Sequence, residues 1–399
     1  MRLVFVNYCH PATPHICGVR VSHFASAMAA RGHQVVLITR DLDGQPSAPP
    51  PADLAARLAG HDWAQPFHLA VAPKPSALFD RLQAGSLPGG LRQLAILGAY
   101  LGAGGIFADW RAACRPYAKA LAVAFRPQLA WGTFGNTDSW AVARDMAGAA
   151  QAPWVGDIKD YWRMFIPAPL RRVLAWRFRD AAHLTLLAGT HVDEARPYFP
   201  HAATVIYSGM PELFLEPAAP PAAAPFTLVL SGSLYDQPVL EDFLGTLAAW
   251  GQGRGARLIY AGADYARMAR TCEAMEVGRH WQMDIHPYLP LEDLRALQLA
   301  ASANAYMRSA RCFHHKVIEL LSMRRPVISF PGEGAEAQAI AEATGGTLLS
   351  CWDGAQLRAA LDRLAAGEDF SAATAEGLAR YTWAAQAETL EACFAGVLS

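Results

Sequence analysis

Charge is scarce in this chain of 399 residues. Only 17% are Asp, Glu, Lys or Arg, and 34 basic against 35 acidic side chains leave a formal net charge of −1. Without a basic excess there is no long-range field to gather nucleic acid, and no nucleic-acid partner is expected. The seven cysteines, at 9, 17, 114, 272, 312, 351 and 393, are odd in number and include no C-x-x-C pair. That argues against a disulfide framework and fits reduced thiols in a cytoplasmic enzyme. Cys9, His10, His15 and Cys17 fall close together, but their spacing matches no zinc pattern, and no metal site is expected. The opening MRLVFVNYC lacks the long apolar region and small-residue cleavage site of a signal peptide. The most apolar later stretch, LRQLAILGAYLGAGGIFADW (91–110), is broken by glycines and by Asp109, which argues against a membrane-spanning helix.

What the chain does have is 53% hydrophobic residues, ample for large cores, and a length that suits two or three domains. LVFVN (3–7) is a short β-rich apolar run. A loop with Pro11, Pro14 and Gly18 follows, then Val21, Phe24, Ala25 and Met28 at helical spacing, then Gly32 and the strand QVVLIT (34–39). This is a βαβ unit, which implies a parallel sheet with helices on its faces. Residues 41–90 are irregular, 91–124 read as helical, and strands alternate with helices up to residue 209. The Ala/Pro segment 215–225 reads as a linker. Strand–helix alternation restarts after it and runs to about residue 365. The expected architecture is α/β: two Rossmann-like doubly wound domains facing a cleft, at 1–214 and 226–375. The last helix, 376–399, returns to the first domain.

Ligands of open α/β sheets sit beyond the carboxyl ends of the strands, so the loops there hold the candidate residues. Gly232 and Ser233 lie at a strand-to-helix turn. Glycine lets backbone approach a ligand, and the following helix start favours phosphate. The stretch is neither G-x-G-x-x-G nor a P-loop, and a plain tight turn explains it equally. In HPYLP (286–290), Tyr288 offers a wall for a base, or the segment is only a proline-bounded strand end. Lys316 and Glu319 are three apart and share a helix face, after a loop holding Arg308, Ser309, Arg311 and Phe313. Glutamate can accept from a ribose diol, and Arg308, Arg311 or Lys316 can neutralise a diphosphate. The alternative is an exposed ion pair.

With those residues in place, KVIELLSMRRPVISFPGEGAEAQAIAEATGGTLL resembles the donor-nucleotide end of a GT-B glycosyltransferase of the family-4-like kind. MRLVFVNYCHPATPHICGVRVSHFASAMAARGHQVVLIT resembles the same family's opening, and PWVGDIKDYW resembles one of its internal segments. The resemblance spans nearly the whole chain. It implies a nucleotide-diphosphate sugar as donor substrate, no cofactor, and metal-independent transfer with retained configuration. Glu319 matches the acid that binds the donor ribose. Gly18 matches the first-domain loop facing the diphosphate, and Gly232 and Ser233 match the second-domain loop near the phosphates. Two departures stand out. Arg311 occupies the place where the family often has an earlier acid, and no basic residue follows the SGS turn.

The first domain is expected to hold the acceptor. Asn136, with Asp138 nearby, replaces the histidine often found in its loop, and Asp157, Lys159 and Asp160 follow the next strand. Asn136 and Asp160 are the catalytic candidates, although helix capping also explains such residues. His10 and His15 sit in the first loop. Arg171, Arg172, Arg177 and Arg179 share a helix with Trp176 and Phe178, a surface suited to peripheral membrane contact. The expected activity is glycosyl transfer to a glycan or lipid-linked acceptor in polysaccharide or cell-envelope assembly. It is placed in the cytoplasm or at the inner face of the membrane. The alternatives are a sugar-nucleotide epimerase on the same scaffold and a non-catalytic partner protein.

Overall fold

The computed structural model describes residues 1–13, 15–216, 225–309 and 313–399. Arg311 and most of the 215–225 segment lie outside the described residues. The chain packs as two compact units. One comprises Met1–Gly209 with Trp383–Ser399, and the other Met210–Thr382.

The first unit is built on a seven-stranded sheet. Its strands are β1 (Arg2–Val6), β2 (Gln34–Arg40), β3 (Phe67–Val71), β4 (Leu129–Thr133), β5 (Trp154–Ile158), β6 (His183–Leu186) and β7 (Ala203–Val205). Their order is β3-β2-β1-β4-β5-β6-β7, and each pairing is parallel. Strands buried on both faces read as unbroken apolar runs, which is how most of them were visible in the sequence. Alternation along β1 sends Val4 and Val6 into one core layer with Trp140 and Leu121. Leu3 and Phe5 enter the opposite layer, with Phe24 and Trp131.

That second layer is closed by the C-terminal helix Trp383–Leu398. Its Trp383, Ala387, Leu390 and Phe394 are buried against Phe5, Phe24 and Trp131. The last helix thus returns to the first unit, although it starts at 383 rather than 376.

Residues 41–90 hold more structure than expected. The edge strand β3 is there, and so is a helix, Leu54–Ala59. His68 interrupts the apolar run of β3, and its Nε2 pairs with Thr39 Oγ1 at 2.8 Å. The segment Gly89–Ala124 is long and apolar enough to cross a membrane by length and composition. It nonetheless turns at Gly104, where φ is +93°. The part after the turn, Ala108–Ala124, is a core helix that buries Trp110, Cys114, Tyr117 and Leu121. The part before it, Gly89–Gly98, buries none of its side chains.

The second unit carries β8 (Thr227–Ser231), β9 (Ala256–Ala261), β10 (Trp281–His286), β11 (Ala303–Met307), β12 (Val327–Phe330) and β13 (Leu348–Ser350). Their order is β10-β9-β8-β11-β12-β13, again with parallel pairing. In each unit the strand order reverses at one point: between β1 and β4 in the first, and between β8 and β11 in the second. Such reversal points open a crevice at the strand ends, where ligands of this architecture bind.

Candidate active site

In the second unit the sequence candidates gather at the β8–β11 reversal. Gly232 follows β8 with φ +101°, a conformation that only glycine adopts without strain. Its N–H donates to the Ala261 carbonyl at 3.1 Å, and its carbonyl accepts from the Tyr260 hydroxyl at 2.8 Å. The turn is therefore fixed on both sides. A Cβ at 232 would stand 3.6 Å from Lys316 Cε, so the turn runs against the side chain that leads the helix Lys316–Leu321. Ser233, next along, is exposed.

Lys316 Nζ donates to Glu319 Oε2 at 2.8 Å, and His315 Nε2 lies 3.5 Å from Glu319 Oε1. Burial pushes the Glu319 carboxyl up. The Lys316 ammonium and His315 outweigh that, so its pKa falls well below the usual carboxylate range. The Glu319 side chain keeps 31% of its surface exposed, enough for an incoming hydroxyl to reach it. The preceding residue pair continues the cluster. Tyr235 from the β8 turn meets His314 Nε2 through its hydroxyl at 2.7 Å. Burial, then Lys316 and His315, push His314 down to about 3, so its ring is neutral at ordinary pH.

Arg308 leaves β11 and is engaged by the next strand. Its guanidinium bonds the Gly332 carbonyl and faces the Glu333 carboxylate at 3.5 Å. Glu333 is buried and also accepts from the Tyr306 hydroxyl at 3.1 Å. Burial raises its pKa, and Arg308 offsets this only in part. Of the three basic side chains expected to meet a diphosphate, Arg308 and Lys316 are thus each paired with an acid. Tyr288 is 67% exposed beyond β10, three strand spacings, or roughly 14 Å, from β11. Arg311 lies outside the described residues.

In the first unit the candidates separate into supports and reachable groups. Asn136 caps the helix Thr137–Ala150, its Oδ1 accepting from the Ser139 N–H at 2.9 Å and the Ser139 hydroxyl at 3.2 Å. Asp157 is buried in a two-pronged pair with Arg20, at 2.7 and 2.9 Å. Asp138 is buried, accepts from the Phe107 N–H at 2.9 Å, and is pushed up to about 7, chiefly by burial. Asp160 remains partly exposed and pairs with the buried Lys159 ammonium. Gly18 stands in the first turn of the helix Ile16–Ala30 rather than in the loop before it. A Cβ there would meet the His10 carbonyl oxygen at 2.7 Å, so the missing side chain serves close packing of loop on helix. His10 Nδ1 accepts from the Ala12 N–H at 3.1 Å, and His15 Nδ1 accepts from the Cys17 N–H at 3.2 Å. The neighbouring Cys9 thiol, with Lys159 nearby, holds the Cys17 thiol below its ordinary value against the opposing effect of burial.

The arginine helix is shorter than expected. It spans Arg171–Arg177, so Arg179 lies past its end. Arg171 donates to the Ile166 carbonyl at 2.9 Å and Arg177 to the Tyr100 carbonyl at 3.2 Å, which takes two of the four out of any free basic face. A D-x-D triplet is also present, Asp41-Leu42-Asp43, in the loop after β2. Among the described residues the group that brings three possible metal-ligand atoms together is a different one, Cys9, His15 and Cys17.

Sequence reasoning passed over Tyr235, His314 and Glu333. One signal was available for the neighbourhood as a whole. Only four of the 34 basic residues are lysines, at 74, 119, 159 and 316; Lys159 directly follows β5, and Lys316 opens a helix in the β11–β12 connection.

No protein-family model and no curated protein matches the chain. Solved structures match it along its whole length at low identity. Sucrose-phosphate synthase from Thermosynechococcus elongatus superposes with TM-score 0.68 and 14% identity, covering 99% of this chain and 98% of that one. Anabaena HepE in complex with UDP-glucose gives TM-score 0.65 and 13% identity over 99% and 100%. A Listeria monocytogenes protein assigned as a UDP-N-acetylglucosamine 2-epimerase gives 0.57 and 11% over 98% and 95%. The chain has the GT-B glycosyltransferase fold.

Proposed function

We propose that the protein is a glycosyltransferase that moves a sugar from a nucleotide-diphosphate donor to an acceptor. The observation that carries this is the Lys316–Glu319 pair lying against the Gly232 turn at the β8–β11 reversal. Glu319, ionised and reachable, accepts from the two hydroxyls of the donor ribose. Lys316 then exchanges its carboxylate partner for a phosphate oxygen. Its charge offsets the negative charge that grows on the departing diphosphate, which lowers the barrier without a metal. Gly232 and Ser233 approach the phosphates through backbone, Arg308 and Arg311 add positive charge, and Tyr288 flanks the base. HepE, of the same fold, was solved with UDP-glucose and with UDP, which makes uridine donors the first to try.

The first unit takes the acceptor side in this proposal, with Asp160 and Asn136 at the strand ends and Gly18 shaping the loop after β1. A lipid-linked acceptor suits the exposed Leu91, Leu94 and Leu97 of the helix Gly89–Gly98, a face for peripheral contact at the inner side of the membrane. Transfer with retention, in polysaccharide or envelope glycan assembly, completes the proposal. The fold shared with the epimerase-assigned protein favours one second reading, interconversion of the sugar-nucleotide itself.

Incubation with UDP-glucose and related donors, with and without candidate glycan and lipid-linked acceptors, separates these. Acceptor-dependent release of the diphosphate is the expected result. Interconversion of the donor without an acceptor would establish the epimerase instead. Failure to bind any nucleoside diphosphate would point to a non-catalytic partner.

A further inference from the structure

The loop after β1 and the first turn of the helix Ile16–Ala30 converge on three side chains that the proposed transfer does not use. Cys9 Sγ, a ring nitrogen of His15 and Cys17 Sγ all lie within 4.8 Å of one another, and Cys9 Sγ is 3.7 Å from His15 Nδ1. Atoms spaced within 4.8 Å share a centre no more than about 2.8 Å from each, against roughly 2.3 Å for a zinc–thiolate bond and 2.0–2.1 Å for zinc–imidazole. A contraction of well under about 1 Å closes them on a cation.

The chemistry of the set is selective. Two sulfurs and an imidazole suit zinc and disfavour magnesium or calcium, which require oxygen. The surroundings balance the charge. Lys159 lies beside Cys17 and pairs with Asp160, so two thiolates and one carboxylate face one ammonium and a divalent ion. Access is graded, with Cys17 buried, Cys9 half-buried and His15 exposed. Coordination through Nδ1 would take the lone pair that now accepts the Cys17 N–H. Losing such a cap is a small cost beside the binding energy of zinc–thiolate sites.

We propose that Cys9, His15 and Cys17 form a zinc site with one open coordination position at the β1 end of the first unit. The ion binds both sulfurs and one ring nitrogen. The thiol protons pass to solvent as it does so, and the fourth position stays open to water or another ligand. Occupancy ties the loop that carries Cys9 to the start of the helix.

Cobalt(II) tests this on the full chain, freed of metal and kept reduced with a phosphine. The expected result is a thiolate-to-cobalt charge-transfer band that saturates at one equivalent and is abolished by added zinc. Cys9→Ser should lose about half of that band, one of two thiolates, and His15→Ala should weaken binding at least tenfold. Circular dichroism should show both variants folded. No charge-transfer band on the wild-type chain, or a band unchanged in Cys9→Ser, would overturn the site. The readout is independent of sugar transfer, so its failure leaves the proposed function untouched.

Discussion

Glu319 and Asp138 are driven the same way by burial and end on opposite sides of the usual carboxylate range. Glu319 has the Lys316 ammonium at 2.8 Å and is held ionised. Asp138 has the Phe107 N–H, with Arg111 exerting only a weaker pull, and sits at about 7. A carboxyl whose folded-state pKa exceeds its unfolded value favours the fold while protonated. That contribution is lost as pH rises from about 4 through about 7. Asp138→Asn cannot ionise. Thermal melts should therefore show the variant gaining on the wild type as pH is raised from 4 to 8, by up to a few kcal/mol. Parallel pH profiles would contradict this. Pairing at three-residue spacing made Lys316 and Glu319 legible in the sequence. Glu333 was not, because its partners Arg308 and Tyr306 come from the neighbouring strand and meet it only through sheet order. The Cys9–His15–Cys17 cluster was visible as composition, but its convergence depends on how the loop folds back, which spacing does not encode.

The C-terminal helix shows how an element can belong to a core far away in sequence. Leu390 and Phe394 are fully buried beside β1 residues. Leu390→Ala should cost about 2–5 kcal/mol of stability, seen as a lower melting temperature or denaturant midpoint for the first unit. A change below about 1 kcal/mol would mean the helix is not part of that core. The helix was readable from its apolar content, and its destination was expected of a two-domain chain of this kind. Strand β3 was not readable, since it is only five residues long and His68 interrupts its apolar run. The apolar 91–110 stretch divides at Gly104, and its two sides have opposite fates: one in the core, one exposed.

Taken as a molecule, the chain is two parallel sheets, each with one reversal of strand order. The sheets were legible because doubly covered strands must be apolar throughout. The strand order was not, because it is decided by which crossover packs best, and the reversal points could only be placed once it was known. The candidate donor groups come from segments some 80 residues apart that the β8–β11 reversal sets side by side. That juxtaposition is the central claim, and binding tests it without requiring an acceptor. Calorimetric titration with UDP-glucose and other nucleotide-diphosphate sugars should give saturable binding to the wild type. With the best of them, Glu319→Ala should bind about 10–100-fold more weakly, a loss of about 1.4–2.8 kcal/mol. Its ligand-free melting temperature should change little, since a partly exposed ion pair contributes under about 1 kcal/mol. Equal affinity for the two proteins, or no binding of any such sugar to the wild type, would contradict the account.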